Sequence, residues 1–224
     1  MTRVLAFDVN ETLLDLTALD TAFEGLFGSA TPRGPWFAQM LHLSFVGGIT
    51  GSYTDFTTAQ RAALQMIAER QGVSLSEQQI DATVALMTSL PPHPDVPDAL
   101  RRLAATDLHL VALTNSVQSV AEQQLRNAGI RDLFEKVMSA DAVRRLKPAP
   151  EPYLAVAAAF DVHPGDVRLI AAHSWDVTGA LHAGCKAAFL RRPGAVLSPI
   201  GPRPDLVADT LTDLADLIIQ RDCR

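Results

Sequence analysis

The 224-residue chain is expected to fold as an α/β protein, with a doubly wound parallel sheet and an all-helical cap inserted after its first strand. Three observations predict this. Short apolar runs alternate with amphipathic stretches from residue 93 onward. One further run, Val4–Phe7, stands alone near the start, and residues 15–92 carry helical periodicity with no strand among them. Strands alternating with helices over short connections mean a parallel sheet covered on both faces. Residues 1–14 and 93–224 are therefore read as the α/β core and residues 15–92 as the cap.

Val4–Phe7 reads as a buried strand that stops at Asp8, because Asn10-Glu11-Thr12 breaks the apolar pattern. In the cap, Ala38, Leu41, Phe45 and Ile49 recur at helical spacing behind Pro35, which suits a first turn. Thr57–Gln71 forms a second helix, with apolar Ala63, Leu64, Ile67 and Ala68 and a stop at Gly72. Ser74 and Glu77 have capping-box spacing and open a third, reaching Leu90.

Pro91-Pro92-His93-Pro94 punctuates the chain. Helix Asp98–Ala105 leads to strand Leu108–Leu113, which ends at Thr114-Asn115. Helix Ser116–Ala128, closed by Gly129, precedes a short strand at Lys136–Ser139. Helix Pro150–Phe160 leads to strand Val167–Ala172, ending at His173. Helix Trp175–Ala183, closed by Gly184, leads to strand Lys186–Leu190, then a short strand at Leu206–Val207 and a last helix at Leu211–Gln220.

Hydrophobic residues are 48% of the chain and charged residues 20%, which excludes a disordered protein. The net charge is −6 with Lys and Arg scattered, so a nucleic-acid partner is not expected. The apolar runs are too short for a bilayer, and no membrane association is expected. Met1-Thr2-Arg3-Val4 runs straight into a strand without a signal-like apolar region. Of the two cysteines, Cys185 is placed in a buried strand and Cys223 near the tail, which suits a reducing, cytoplasmic setting.

Ligands in open parallel sheets bind outside the carboxyl ends of the strands. Asp8, Thr114-Asn115 and the turn from His173 to Asp176 all fall there. A carboxylate at the mouth of a buried strand is a nucleophile if donors orient it. It is equally a cap for the turn that follows.

The segment Asp8-Val9-Asn10-Glu11-Thr12-Leu13 resembles the first motif of the haloacid dehalogenase superfamily, whose strand-end Asp is a covalent nucleophile. Thr114-Asn115 resembles the second motif, Lys147-Pro148 the third, and Trp175-Asp176-x-x-Gly179-Ala180 the fourth, in the expected order around a helical cap. The resemblance spans the whole chain and implies a Rossmann-like core. Lys147 then becomes a cation beside Asp8, where composition alone leaves it a solvated surface lysine. Asp176 becomes part of an acidic turn and is also placed to favour a helix N-terminus.

Phosphatases of the superfamily carry a second Asp two residues beyond the nucleophile, because an alkoxide needs a proton to leave. This chain has Asn10, whose amide is no acid. A halide other than fluoride leaves unassisted. The sequence is most similar to type II (S)- or L-2-haloacid dehalogenases, through Asp8-x-x-x-Thr12-Leu13, Lys147-Pro148 with Tyr153, Trp175-Asp176 and a cap Phe, here Phe56. It departs from them in three places. They usually have Tyr-Gly where Asn10-Glu11 stands, and an Arg after the cap Trp where Phe37 follows Trp36. They offer Ser and Asn where Ala171 and His173 stand. Arg33, one helical turn before Phe37, is left as a substitute cation of different geometry. His173 is open as a neutral donor to Asp8, a base for water, a cation in place of the Arg, or a structural histidine.

The resemblance implies hydrolytic dehalogenation of a small 2-haloacid by water, without a cofactor. Asp8 displaces halide to give an aspartyl ester, and halide departs into a site lined by Asn115, Phe37 and Phe56. Water then attacks the ester near Lys147, Asp176 and His173. Thr12, Thr114 and the amides after Asp8 hold the substrate carboxylate or the oxyanion, and Asn10, Glu11, Tyr153 and Trp175 complete the binding site. The alternative is a magnesium-dependent phosphatase or phosphonatase-like hydrolase, with Asp8, Asn10 and Asp176 as ligands. A degenerate, non-catalytic member is the third reading. The resemblance also suggests a homodimer through the cap helices.

Overall fold

The structure, a computed structural model, describes residues 2–223. Strand β1 (Val4–Phe7) is buried at every position. The segment that follows carries α1 (Asp20–Phe27), α2 (Arg33–Thr50), α3 (Phe56–Arg70) and α4 (Glu77–Ala85). Then come α5 (Val96–Ala104), β2 (His109–Thr114), α6 (Gln118–Asn127), β3 (Lys136–Ser139), α7 (Pro150–Ala159), β4 (Val167–Ala171), α8 (Ser174–His182), β5 (Lys186–Leu190), β6 (Leu206–Ala208) and α9 (Leu211–Asp222). Among the described residues, no helix is long and apolar enough to cross a membrane.

All strand pairs are parallel, in the order β3-β2-β1-β4-β5-β6. The chain winds outward from β1 to β3, then returns to β4 on the other side of β1 and winds the opposite way. The crevice therefore opens over the end of β1, where Asp8 stands. Strand periodicity divides the core. Leu5 and Phe7 join the apolar cluster that includes α5, α9 and the helical segment, while Val4 and Ala6 join the one that includes Tyr153, Val156, Val177 and Ala180.

The helical segment leaves and rejoins the sheet at one point, where Leu14 bridges Pro92 and Asp15 N–H donates to the Pro91 carbonyl at 2.8 Å. Trp36 Nε1 donates to the Gln60 carbonyl at 3.0 Å and ties α2 to α3. The predicted stripe on α2 is rotated. Trp36, Phe37, Met40, Leu41 and Ser44 are buried, whereas Ala38 is exposed and Ile49 is 86% exposed. Apolar side chains occur nearly all round this helix, so periodicity alone does not choose its inner face.

The capping box also moves. Ser76, not Ser74, caps α4, with its hydroxyl accepting from Gln79 N–H at 3.3 Å and Gln79 Oε1 accepting from Ser76 N–H at 2.9 Å. Both serines have a suitable partner three residues on, and Glu77 instead pairs with Arg61 at 2.6 Å. The α4 helix ends at Ala85 and tightens into a 3₁₀ turn over Leu86–Ser89. Cys185 is buried, but in the loop one residue ahead of β5.

Candidate active site

Asp8 continues β1 by donating its N–H to the Ile170 carbonyl at 3.0 Å, and it is 5% exposed. Each carboxylate oxygen meets donors. Lys147 Nζ donates to Oδ1 at 2.8 Å, and Oδ2 receives Thr12 Oγ1 at 2.6 Å and faces His173 Nδ1 at 3.0 Å. Burial alone would raise this carboxyl. The Lys147 charge and the His173 bond overcome burial and hold it far below the usual carboxylate range.

Lys147 is 1% exposed. Its ammonium also donates to Asp176 Oδ2 at 2.6 Å and to the Leu113 carbonyl at 2.9 Å, which uses its full set of donors. Burial opposes its charge, but Asp176 and Asp8 outweigh it and raise the ammonium. Asn115 grips the Lys147 peptide from both sides: Oδ1 accepts Lys147 N–H at 2.8 Å and Nδ2 donates to its carbonyl at 3.2 Å.

Asp176 is fully buried, and the Tyr153 hydroxyl donates to its Oδ1. Burial and the Asp8 charge push its carboxyl up. Gly179 permits this closeness, since a Cβ there would lie 2.6 Å from Pro148 Cβ and 2.7 Å from the Tyr153 hydroxyl.

The His173 ring lies between Trp175, with centroids 5.2 Å apart at 25°, and Phe37, 5.7 Å apart at 20°. Its Nε2 faces Glu11 Oε2 at 2.8 Å. Burial would lower the imidazole, but the bonds to Asp8 and Glu11 push it up to about 9, so it is a cation at neutral pH. Neither ring nitrogen is given to a backbone carbonyl, as a purely structural histidine would have it. Glu11 holds a left-handed φ of 61°, which costs a residue with a Cβ roughly 1 kcal/mol. Non-glycine residues in this region cluster at functional sites.

Asp8, Asn10, Thr114, Asn115 and His173 form the polar wall of a chamber that Phe37, Leu41, Phe56 and Trp175 close on the apolar side. Its free volume is about 10 Å³, room for about one water molecule. A larger cleft of about 580 Å³ adjoins it, and His173 and Trp175 belong to both walls. Glu11, Arg33, His93 and Arg192 line the cleft only.

Most of the predicted site thus comes together, with differences in what the side chains touch. Thr12 does not face outward to a substrate, because its hydroxyl is given to Asp8 and accepts Ala172 N–H at 2.9 Å. Tyr153, Asp176 and Glu11 do not line the chamber. Asn10 lines it, but its amide is held by Gln124 Nε2 at 2.9 Å and reaches Ser116 Oγ at 3.3 Å. Arg33 pairs with Asp20 at 2.5 Å on the cleft side and does not reach the chamber. The clamp residues Ser116 and Gln124 were not singled out by sequence as part of the site, and Leu41 was read there only as one of the apolar stripe on its helix. The two clamps lack any motif.

The magnesium ligand set of the alternative reading does not fit this arrangement. Both oxygens of Asp8 and both of Asp176 face hydrogen-bond donors, and the Lys147 ammonium lies where a shared cation would bridge them.

A model of the haloacid dehalogenase-like hydrolases matches residues 2–184. The (S)-2-haloacid dehalogenase H-109 of Pseudomonas putida is 26% identical over 218 residues, spanning 96% of this chain and 97% of its own. The (S)-2-haloacid dehalogenase of Xanthobacter autotrophicus is 29% identical over 219 residues, spanning 96% and 83%. A solved L-2-haloacid dehalogenase from Xanthobacter autotrophicus, with chloropropionic acid covalently bound, superposes with a TM-score of 0.93 at 25% identity, over 99% of this chain and all of that one. With that match running over more than half of its length, the chain belongs to the haloacid dehalogenase-like hydrolase family.

Proposed function

We propose that the protein hydrolyses the carbon–halogen bond of a small 2-haloacid through an aspartyl ester on Asp8. The observation that carries this reading is a desolvated Asp8 carboxylate, held ionised by Lys147 and facing a chamber with no second carboxyl to act as an acid. Asn10 stands where a phosphatase needs that acid, and its amide is already clamped. An alkoxide would therefore leave without a proton, whereas a halide needs none.

Asp8 attacks C2 from the face opposite the halogen and inverts it. The halide departs toward Asn115, Phe37 and Phe56, and the substrate carboxylate rests on Thr114 and the amides after Asp8. The imidazolium of His173 supplies the positive charge that the family resemblance implies for an Arg at the position of Phe37. Water then cleaves the ester at the Asp8 carbonyl carbon, so that one hard displacement becomes two easier ones. No metal takes part. The ties of Asp8 and Asp176 to Lys147, Tyr153 and His173 supply the polarisation.

The test is a single turnover in oxygen-18 water with 2-chloropropionate. Label should enter Asp8 first and reach the hydroxy acid only in later turnovers. Label appearing directly in the product rules the ester out. Turnover that survives a chelator is expected; loss of activity to the chelator with recovery on magnesium would favour the phosphatase-like alternative.

A further inference from the structure

His173 occupies the wall between two spaces. Its Nδ1 faces Asp8 at 3.0 Å, toward the closed chamber, and its Nε2 faces Glu11 at 2.8 Å, toward the open cleft. Phe37 and Trp175 hold the ring from both faces, so neither nitrogen can swing away. The Glu11 side chain is 34% exposed, enough to exchange protons with solvent. Among the side chains lining the chamber, Asp8 and His173 are the titratable ones. Asp176 is sealed behind Lys147 and Tyr153.

We propose that His173 is the base that activates water against the Asp8 ester, with Glu11 fixing its tautomer and passing the proton to the cleft. This rests on the dehalogenation reading. In the resting protein, two carboxylates hold the imidazole as a cation. Ester formation neutralises Asp8 and leaves Glu11 as the carboxylate on the ring, so one proton is released to solvent. The remaining proton belongs on Nε2, against Glu11, and Nδ1 is left bare toward the chamber.

The attacking water gives its oxygen to Asp8 Cγ and a proton to Nδ1. The tetrahedral centre then breaks its bond to the substrate oxygen, which takes the electron pair and the proton from Nδ1 to become the hydroxyl of the product. The acid left on Asp8 returns its own proton to His173, which restores the carboxylate–imidazolium pair. One halide and one proton are released per turnover, as hydrolysis requires.

The three departures from the usual dehalogenase pattern meet here. Glu11 and Phe37 each contact His173. The other charged groups bearing on the ring are Lys147 and Asp176, which act through Asp8, and His93, whose Nε2 bonds the Glu11 carbonyl at 3.0 Å. From the helical segment, the uncharged Phe37 packs on the ring, and Arg33, paired with Asp20, lines the cleft that Glu11 faces.

The experiment follows halide release and intact-protein mass in rapid-quench reactions with (S)-2-chloropropionate, for the wild type, His173→Asn and Glu11→Gly. His173→Asn should still release one equivalent of halide, more slowly than wild type because the cation is gone, accumulate the ester mass and then stall, with steady-state turnover down by about 100-fold or more. Glu11→Gly should remain folded under assay conditions, because the relief of the left-handed turn offsets part of the lost Glu11–His173 pair. It should nonetheless deacylate more slowly, and its pH profile should shift to lower pH. An unchanged steady-state rate in His173→Asn overturns the proposal. So does loss of the halide burst without ester, which would confine His173 to the first step. A wild type that releases no halide from any 2-haloacid removes the dehalogenation reading and this relay with it.

Discussion

The Phe37 ring lies nearly parallel to the imidazole of His173, with centroids 5.7 Å apart. A helix of the inserted segment thus rests an uncharged ring on a cation of the core. The family resemblance implies an Arg at the position of Phe37. Here the charge at this contact sits on the core side, beside the nucleophile. Phe37→Arg would set two cations against each other over a chamber with room for about one water. We expect that variant to lower the melting temperature and weaken turnover, and Phe37→Arg with His173→Asn to recover part of both. A calorimetric scan with halide release on the single and double variants checks the coupling.

Asp8→Asn should abolish halide release while leaving the fold intact, since an amide fills the same space. Lys147→Met should do worse. It strands two buried carboxylates, and breaking a buried pair this way costs roughly 3–5 kcal/mol. Urea denaturation of the two variants separates the chemical loss from the structural one.

The pH dependence of stability has a definite sign. The folded His173 titrates at about 9, above its ordinary value of 6.5. Its contribution is therefore fully present below about 6.5 and lost as pH rises through 9, and the rise is worth roughly 3 kcal/mol. Asp8 works in the opposite direction: its carboxyl is depressed, so its contribution is present above the ordinary carboxylate range and lost on acidification. Melting temperatures should fall between pH 7 and pH 10 in the wild type, beyond the slope of His173→Asn. Equal slopes would show that the ring carries no such charge.

Gly179→Ala places a Cβ within 2.7 Å of Pro148 and of the Tyr153 hydroxyl. Overpacking of this kind costs about 1–3 kcal/mol, and here it pushes α8 off the Lys147 turn. Both stability and halide release should drop, the latter because Asp176 moves with the helix. Loss of stability alone would show that the Asp176–Lys147 contact is not needed for turnover.

Phe56→Ala should widen the apolar wall of the chamber. Longer-chain 2-haloacids should gain against haloacetate by about 10-fold or more in kcat/KM, since one methylene in an apolar pocket is worth about 1–3 kcal/mol. Comparing chloroacetate with 2-chlorobutyrate is sufficient to read this.

The order of strands and helices was legible in the sequence because each element carries its own signal. Val4–Phe7 is an unbroken apolar run, Gly129 and Gly184 take the left-handed conformation after α6 and α8, and the run from Pro91 to Pro94 marks the return from the helical segment. The strand-end positions of Asp8, Thr114 and Asn115 were legible from local pattern, whereas Lys147, in the loop before α7, and Asp176, in the first turn of α8, were singled out through the family resemblance.

What only the tertiary structure decided are contacts between residues far apart in the chain. Ala38 and Ile49 fit a helical stripe, yet the face of α2 that turns inward is the one that meets α3 and the His173 ring. Thr12 and Tyr153 have the chemistry of substrate ligands, yet one is spent on Asp8 and the other on Asp176. His173 was left open among several roles because an imidazole's charge and tautomer are set by what stands at each nitrogen. Those neighbours, Asp8 and Glu11, are 165 and 162 positions away along the chain, and only folding brings them to the ring.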